Sequence, residues 1–314
     1  MVKVSPTGWP AIRARQETRE PERAHSRRSF LAALVASTVP ASPSSARAPS
    51  CGLTGWTLDV EYLFGTAGNV RNIADLHNLF TFDAPWGRIN GELQTFQPFN
   101  VRNHVFESDN MTLVAIPDGS GLYTEYGHIK SGAVITKLTC SPPCIVEFVA
   151  KLPAGRGVWP SLWLYDYHSR HNDSSEIDVL ESQFNAPVGY RDDRSWVFQN
   201  DHGPGLGNTI SNPGKLDKWG RWQPYGGMPG GDMSVRWAAY SVCWRMDRVT
   251  KFVDNREAVT RAFTWTGPAM PNIIVYNSVG SDKLDWPGPV QPDTFTGDNA
   301  KLRVKAIRVF KPNG

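Results

Sequence analysis

From residue 51 onward, apolar positions recur every second residue or in short unbroken runs, and Gly, Pro, Asn or Asp bound most of them. A repeat of two belongs to strands, whose side chains alternate between opposite faces. The pattern predicts strands over 59–64, 111–116, 133–138, 145–152, 194–199, 235–246, 249–253, 273–278 and 302–310. The last of these alternates well: Leu302, Val304 and Ala306 stand between the basic residues Arg303, Lys305 and Arg308. Only 72–78 hints at a helix, and it is too short to matter to the fold. Residues 200–233 contain no clear strand and are crowded with Gly, Pro, Asn and Trp. Trp219, Trp222 and Tyr225 within that stretch predict an ordered loop over a surface, a cleft wall. No internal repeat and no Gly/Ser linker divides 51–314, so residues 49–314 read as one all-β domain. Many short strands with long loops at one end describe a β-sandwich or barrel. A curved sandwich carries a natural groove on its concave face.

One strand carries chemistry: Ser174-Ser175-Glu176-Ile177-Asp178-Val179-Leu180-Glu181-Ser182. Alternation puts Glu176 and Asp178 on one face and Ile177 on the other. Glu181 is at an odd offset from Glu176 and would point away in a regular strand. A single bulged residue at Val179–Leu180 returns it to the acidic face. The two glutamates are then about four strand steps apart, roughly 13 Å between Cα atoms. Their side chains can lean together until the carboxyl groups are about 5–6 Å apart, close to the roughly 5–5.5 Å a retaining glycosidase uses. Asp178 between them should raise the pKa of a neighbouring carboxyl group, since crowded like charges resist joint ionisation. Such splitting lets one acid start protonated and the other ionised. Two competing readings exist. Ser175 could cap a helix with Asp178 completing a capping box, but Ile177, Val179 and Pro187 limit any helix to about two turns. The acids could also be a solvated edge.

Composition adds a targeting segment. Ser26-Arg27-Arg28-Ser29-Phe30-Leu31 leads into a short apolar run, and small residues follow as far as Ala46-Arg47-Ala48. This order describes an export signal over residues 1–48, and the adjacent arginines resemble a twin-arginine leader. The apolar run is shorter than the roughly 20 residues a membrane span needs. Cleavage after Ala48 meets an unfavourable Pro49, and a cut after Ala41 is also open. Eight of the 33 basic and three of the 30 acidic residues lie before position 49, so the remainder is formally −2 rather than +3. No basic stripe remains for nucleic acid. The twelve tryptophans suit sugar platforms. Four cysteines follow the signal, and an even number in an exported chain favours disulfides. Cys140-Ser-Pro-Pro-Cys144 spans a tight turn, so a Cys140–Cys144 bridge is the first choice, leaving Cys51 with Cys243. Spacing alone does not choose among the three pairings. A metal site there lacks a nearby His or second close Cys pair. His168 and His171 read as a wet loop.

Lys151-Leu152-Pro153-Ala154-Gly155-Arg156-Gly157-Val158-Trp159-Pro160-Ser161-Leu162-Trp163, taken with Glu176–Glu181, resembles glycoside hydrolase family 16, the laminarinase-like β-jelly rolls. Weaker matches run across most of 51–314: Asn90-Gly91-Glu92-Leu93-Gln94, Ser131-Gly132, Tyr240-Ser241-Val242-Cys243-Trp244 through Asp254, Asn277, Gly280, Trp286-Pro287-Gly288, and residues 304–310. The resemblance implies a jelly-roll β-sandwich with a concave substrate cleft. It implies Glu176 as nucleophile, Glu181 as general acid/base and Asp178 as the residue that tunes the pair. It also implies the bulged branch of the family, which includes laminarinases, agarases and carrageenases. Trp159 and Trp163 would stack on sugar rings, or pack in the core. Asn90 and His202 are candidates for hydroxyl contacts. The family's structural calcium is put in doubt because Lys305 stands where an Asp often helps hold it, and no other cofactor is implied. Cys144 replaces a usual Gly, and 168–173 lack a Trp common in laminarinases.

The implied activity is endo-acting, retaining hydrolysis of a β-linked polysaccharide, a β-1,3-glucan or related glycan, by an exported monomer in the periplasm or outside the cell. Two alternatives stand beside it: a sugar-binding jelly roll without catalysis, which would not need adjacent carboxylates, and a transglycosylase using the same covalent intermediate.

Overall fold

The computed structural model describes residues 51, 55–83, 88, 90–169, 174–182, 199–202, 232–280 and 287–313. The predicted signal, most of the predicted strand over 194–199, most of the 200–233 loop with its Trp219, Trp222 and Tyr225, and His171, Pro187 and Trp286 lie outside them.

Segments rich in β-branched and aromatic residues pair into two packed sheets. The larger runs β15 (Arg256–Ala262), β14 (Arg248–Val253), β13 (Ala238–Trp244), β9 (Cys144–Lys151), β17 (Lys301–Pro312), β5 (Met111–Val114) and β4 (His104–Phe106), with β1 (Trp56–Leu63) also paired to β17. The other runs β12 (Asp201–His202), β11 (Glu176–Glu181), β10 (Val158–Tyr165), β16 (Asn272–Val279), β8 (Ala133–Thr139) and β2 (Phe80–Thr81). A small third sheet, β3 (Gln94–Phe96), β7 (Ile129–Ser131) and β6 (Ile116–Pro117), contains the parallel pair β3–β7. The arrangement is a jelly-roll sandwich, as the resemblance implied. Among the described residues no helix is long and apolar enough to cross a membrane.

Alternation decides what each face does. Leu162 and Leu164 of β10, Ile177 of β11 and Val275 of β16 point inward and meet Val146 and Phe148 of β9 in the main core. Trp163, Tyr165, Ile274 and Tyr276 occupy the opposite face of the same strands. Aliphatic burial contributes about 25 cal/mol per Å² removed from water, so the inward set holds the sheets together and leaves the other face for recognition. Gly132 allows a close backbone approach, since a Cβ there would lie 2.5 Å from the Asn103 carbonyl oxygen.

Several elements differ from expectation. β10 is a central strand where no strand was predicted, and it contains Pro160. The Pro160 carbonyl accepts from the Ser182 N–H at 3.2 Å, so its missing N–H points toward the side where β11 has just ended. β15 has an exposed, charged sequence suited to a sheet edge and carries little apolar signal. It follows β14 through Asp254 and Asn255, both with positive φ as a tight hairpin requires. The helical hint becomes α1 (Ile73–Leu79), capped where the Asn72 side chain accepts from the Asp75 N–H. In β17, alternation breaks at Lys305, an extra residue between Val304 and Ala306 in the pairing with β9.

Cys51 and Cys243 form the disulfide. The favoured Cys140–Cys144 bridge is not formed: both remain buried thiols. The turn between them sends both side chains into the main core, where they pack as small apolar groups and lie within hydrogen-bonding reach of each other.

Candidate active site

β11 contains the predicted bulge. Ser161 pairs with Glu181, Leu162 with Leu180 and Trp163 with Asp178, leaving Val179 without a partner on β10. Val179 and Leu180 both point into the core as a result, and both are fully buried. Glu176, Asp178 and Glu181 therefore share the outer face and line one cleft of about 300 Å³.

The bulge is held from its other side by residues 199–202. The Gln199 side chain donates to the Val179 carbonyl at 2.8 Å, satisfying the group the ladder leaves open. The Asp178 N–H donates to the Asn200 carbonyl at 2.9 Å. β12 then pairs Ile177 with Asp201 and Glu176 with His202.

Each acid has a distinct environment. Glu181 accepts from the Trp159 indole N–H at 3.0 Å and from the Asn200 amide at 2.9 Å. Burial first, and then the charge of Asp178, raise its pKa to about 7, although those two donors and His202 pull the other way. Burial also pushes Glu176 well above the usual carboxylate range, with the charge of Asp178 and a hydrogen bond to it as the next causes. Asp178 lies 3.3 Å from the Nε2 of His202. Burial alone would lower the His202 pKa, but the hydrogen bond to Asp178 and the surrounding carboxylates outweigh it and raise it. The polar atoms of Glu176, Asp178 and His202 all lie within 4.8 Å of one another, a compact cluster.

Trp159, Ser161 and Trp163 from β10, with Tyr276 and Ser278 from β16, form the cleft floor. The Trp163 and Tyr276 rings meet edge to face at 5.3 Å, and Phe96 packs on Tyr276 at 4.3 Å. Arg88, with its guanidinium 4.5 Å over the Tyr126 ring, lines the same cleft as Asn90 and Glu92. Such a groove, apolar in its floor and dotted with hydroxyls and carboxyls, suits a sugar chain.

The structure thus brings Glu176, Asp178, Glu181, Trp159, Trp163 and Asn90 to one cleft. Trp159 differs from expectation, since its indole N–H is committed to Glu181 as well as its ring being placed on the floor. His202 sits on β12 with its Nε2 3.3 Å from Asp178. Asn90 turns its backbone N–H to Glu92 at 3.0 Å. His168 stacks beside Tyr167 at 4.0 Å. Gln199, Asn200 and Lys251 were missed. The first two look like ordinary loop residues in the sequence, whereas a lysine inside the apolar run Val249-Thr250-Lys251-Phe252-Val253 was a readable signal.

The chain is a two-sheet jelly roll with buried carboxylates and aromatic rings along one cleft. More narrowly, it is the fold of the laminarinase-like members of glycoside hydrolase family 16. Over 257 residues, 73% of its length, the chain is 29% identical to glucan endo-1,3-β-glucosidase A1 of Niallia circulans, and it spans about a third (33%) of that protein. The endo-β-1,3-glucanase of Pyrococcus furiosus superposes with a TM-score of 0.55 at 22% identity, over 85% of this chain and 92% of that one. The laminarinase catalytic domain of Thermotoga maritima gives 0.57 at 22% identity, over 83% and 100%. No protein-family profile matches the chain.

Proposed function

We propose that the chain is an endo-acting, retaining glycoside hydrolase that cuts a β-1,3-glucan or related β-linked glycan. The observation that carries this reading is the bulge at Val179, which puts Glu176, Asp178 and Glu181 on one face of one cleft. A Glu176 oxygen attacks the anomeric carbon while Glu181 donates its proton to the departing glycosidic oxygen, giving a covalent glycosyl-enzyme. Water then attacks that carbon as Glu181 takes the proton back, and Glu176 leaves with the original configuration restored. Attack requires Glu176 to be ionised, a state that its burial and the neighbouring Asp178 oppose. Leaving-group protonation requires neutral Glu181, which its pKa of about 7 supplies in neutral and mildly acidic solution. Trp163 and the Trp159 ring stack on sugars, and Asn90 reaches a hydroxyl. The activities named for these relatives, endo-1,3-β-glucosidase and laminarinase, support the substrate class.

Export in a twin-arginine-like leader over 1–48, followed by a catalytic domain over 49–314 that works as a monomer in the periplasm or outside the cell, fits this activity on a polymer too large to enter the cytoplasm. The Cys51–Cys243 bridge supports an oxidising destination. The reading uses no cofactor. At the position where the resemblance would place a calcium ligand, the Lys305 ammonium pairs with Asp109 at 2.7 Å and lies 4.7 Å over the Trp237 ring. A fixed cation there does not fit a bound metal ion.

The test is Glu176→Gln in the purified domain against laminarin, lichenan, agarose, carrageenan and bacterial exopolysaccharides. Cleavage should fall by at least about three orders of magnitude while oligosaccharide binding persists. Full activity in that variant would remove Glu176 from the mechanism. Product masses above those of the starting oligosaccharides would identify transfer rather than hydrolysis.

A further inference from the structure

Lys251 belongs to β14 of the larger sheet, yet its side chain is fully buried and its charge is directed at the active-site strand. Its Nζ lies 2.8 Å from the Asp201 carboxylate and also donates to the Asn200 carbonyl. Arg261 of β15 approaches the other Asp201 oxygen at 3.3 Å and donates to the Gln199 carbonyl at 3.4 Å. Two cations from the larger sheet thus converge on the four residues that hold the bulge. Those residues carry the contacts to the bulge and the acids: Gln199 to Val179, Asn200 to Asp178 and Glu181, and His202 to Asp178.

Burying an ammonium ion without a partner is costly, and a buried pair seldom adds net stability over an apolar substitute. Such a pair is better explained by the arrangement it fixes. β12 has only two residues, too few to hold its place through ladder hydrogen bonds alone. We propose that Lys251 is a positioning residue of the active site, acting through Asp201 and the Asn200 carbonyl to hold residues 199–202 against the bulge and so keep Asn200 on Glu181 and His202 on Asp178. The assignment of a reaction to these acids rests on the function proposed above; the contacts do not.

The charged and titratable groups around the ammonium are Asp201 of β12, Asp178 of β11 and Arg261 of β15, with Glu176, Glu181 and His202 beyond them. Removing the cation leaves Asp201 less compensated and loosens the Asn200 amide, and both changes favour the protonated form of Glu181. Neutralising Asp201 instead leaves Lys251 on the Asn200 carbonyl with its charge unopposed, which favours the ionised form. A purely structural loss would move both variants the same way.

The experiment follows the Trp159 indole N–H, which donates to Glu181, by nitrogen-15 NMR over pH 4–10 in the full mature chain, with Trp159→Phe identifying the resonance. In Lys251→Met the titration near neutral pH should move upward by about one unit or more, and in Asp201→Asn it should move downward. On whichever β-glucan the wild type cuts, Lys251→Met should lose at least about tenfold in kcat with KM within about twofold. If Lys251→Met does not fold, the downward shift in Asp201→Asn carries the test alone. Wild-type titration in the folded variants, or shifts of the same sign, overturns the proposal. If the wild type cuts none of the glycans, the functional reading fails, and the indole titrations still decide whether Lys251 positions these residues.

Discussion

Glu181 shows how one side chain carries opposing demands. Its carboxyl is nearly buried, accepts two hydrogen bonds and faces Asp178, and its pKa stands at about 7 rather than the ordinary 4.5. A raised carboxyl pKa means the folded state binds the proton more tightly than the unfolded chain does. Stability is therefore lost as pH rises from about 4.5, and the loss is complete a little above 7. A shift of this size corresponds to about 3 kcal/mol. Glu181→Gln should consequently be more stable than the wild type at pH 8, by up to about that amount, with the difference vanishing near pH 4. Urea unfolding at the two pH values checks it, and an equal difference at both would mean the carboxyl is not strained by ionisation.

At the scale of the strand, parity controls the chemistry. Side chains alternate strictly, so an odd interval between two groups on one face needs an extra residue, and Val179 is that residue. This much was legible in advance: Ile177, Val179 and Leu180 are apolar and Glu176, Asp178 and Glu181 are acidic, a sequence that no unbroken alternation accommodates. What holds the bulge was not legible, because Gln199 and Asn200 are distant in the chain and their contacts depend on backbone carbonyls that leave no trace in residue type. The place of Pro160 is a related case, since its harmlessness depends on where the neighbouring strand ends. Deleting Val179 should force either Glu181 into the core or Glu176 and Asp178 out of register. The expected outcome is loss of all cleavage together with a stability loss of about 3 kcal/mol or more from the buried carboxyl. Circular dichroism melts with activity assays measure both, and retained cleavage would contradict the parity argument.

Across the whole molecule, the sandwich was readable from the repeat of two and its punctuating glycines and prolines. The cysteine pattern was only half readable: the Cys51–Cys243 bridge forms across 192 residues, while the closely spaced pair remains as thiols. Sequence nearness showed that the latter could meet, but not that their side chains would serve as core packing. The long bridge ties the segment before β1 to β13, and a closed loop of that length removes much unfolded-state freedom. Cys51→Ser should therefore destabilise the domain by about 2–4 kcal/mol, read from the denaturant midpoint of the oxidised protein. An unchanged midpoint would show that the unfolded chain gains nothing from release.

The unpaired valine has a consequence for variation. Its contribution is a count and a direction, not a functional group, so isoleucine or threonine at the same place should leave the register untouched. A single codon gained or lost nearby should instead silence the protein even if every acid survives. Descent could then diverge freely in composition along this segment while remaining rigid in length.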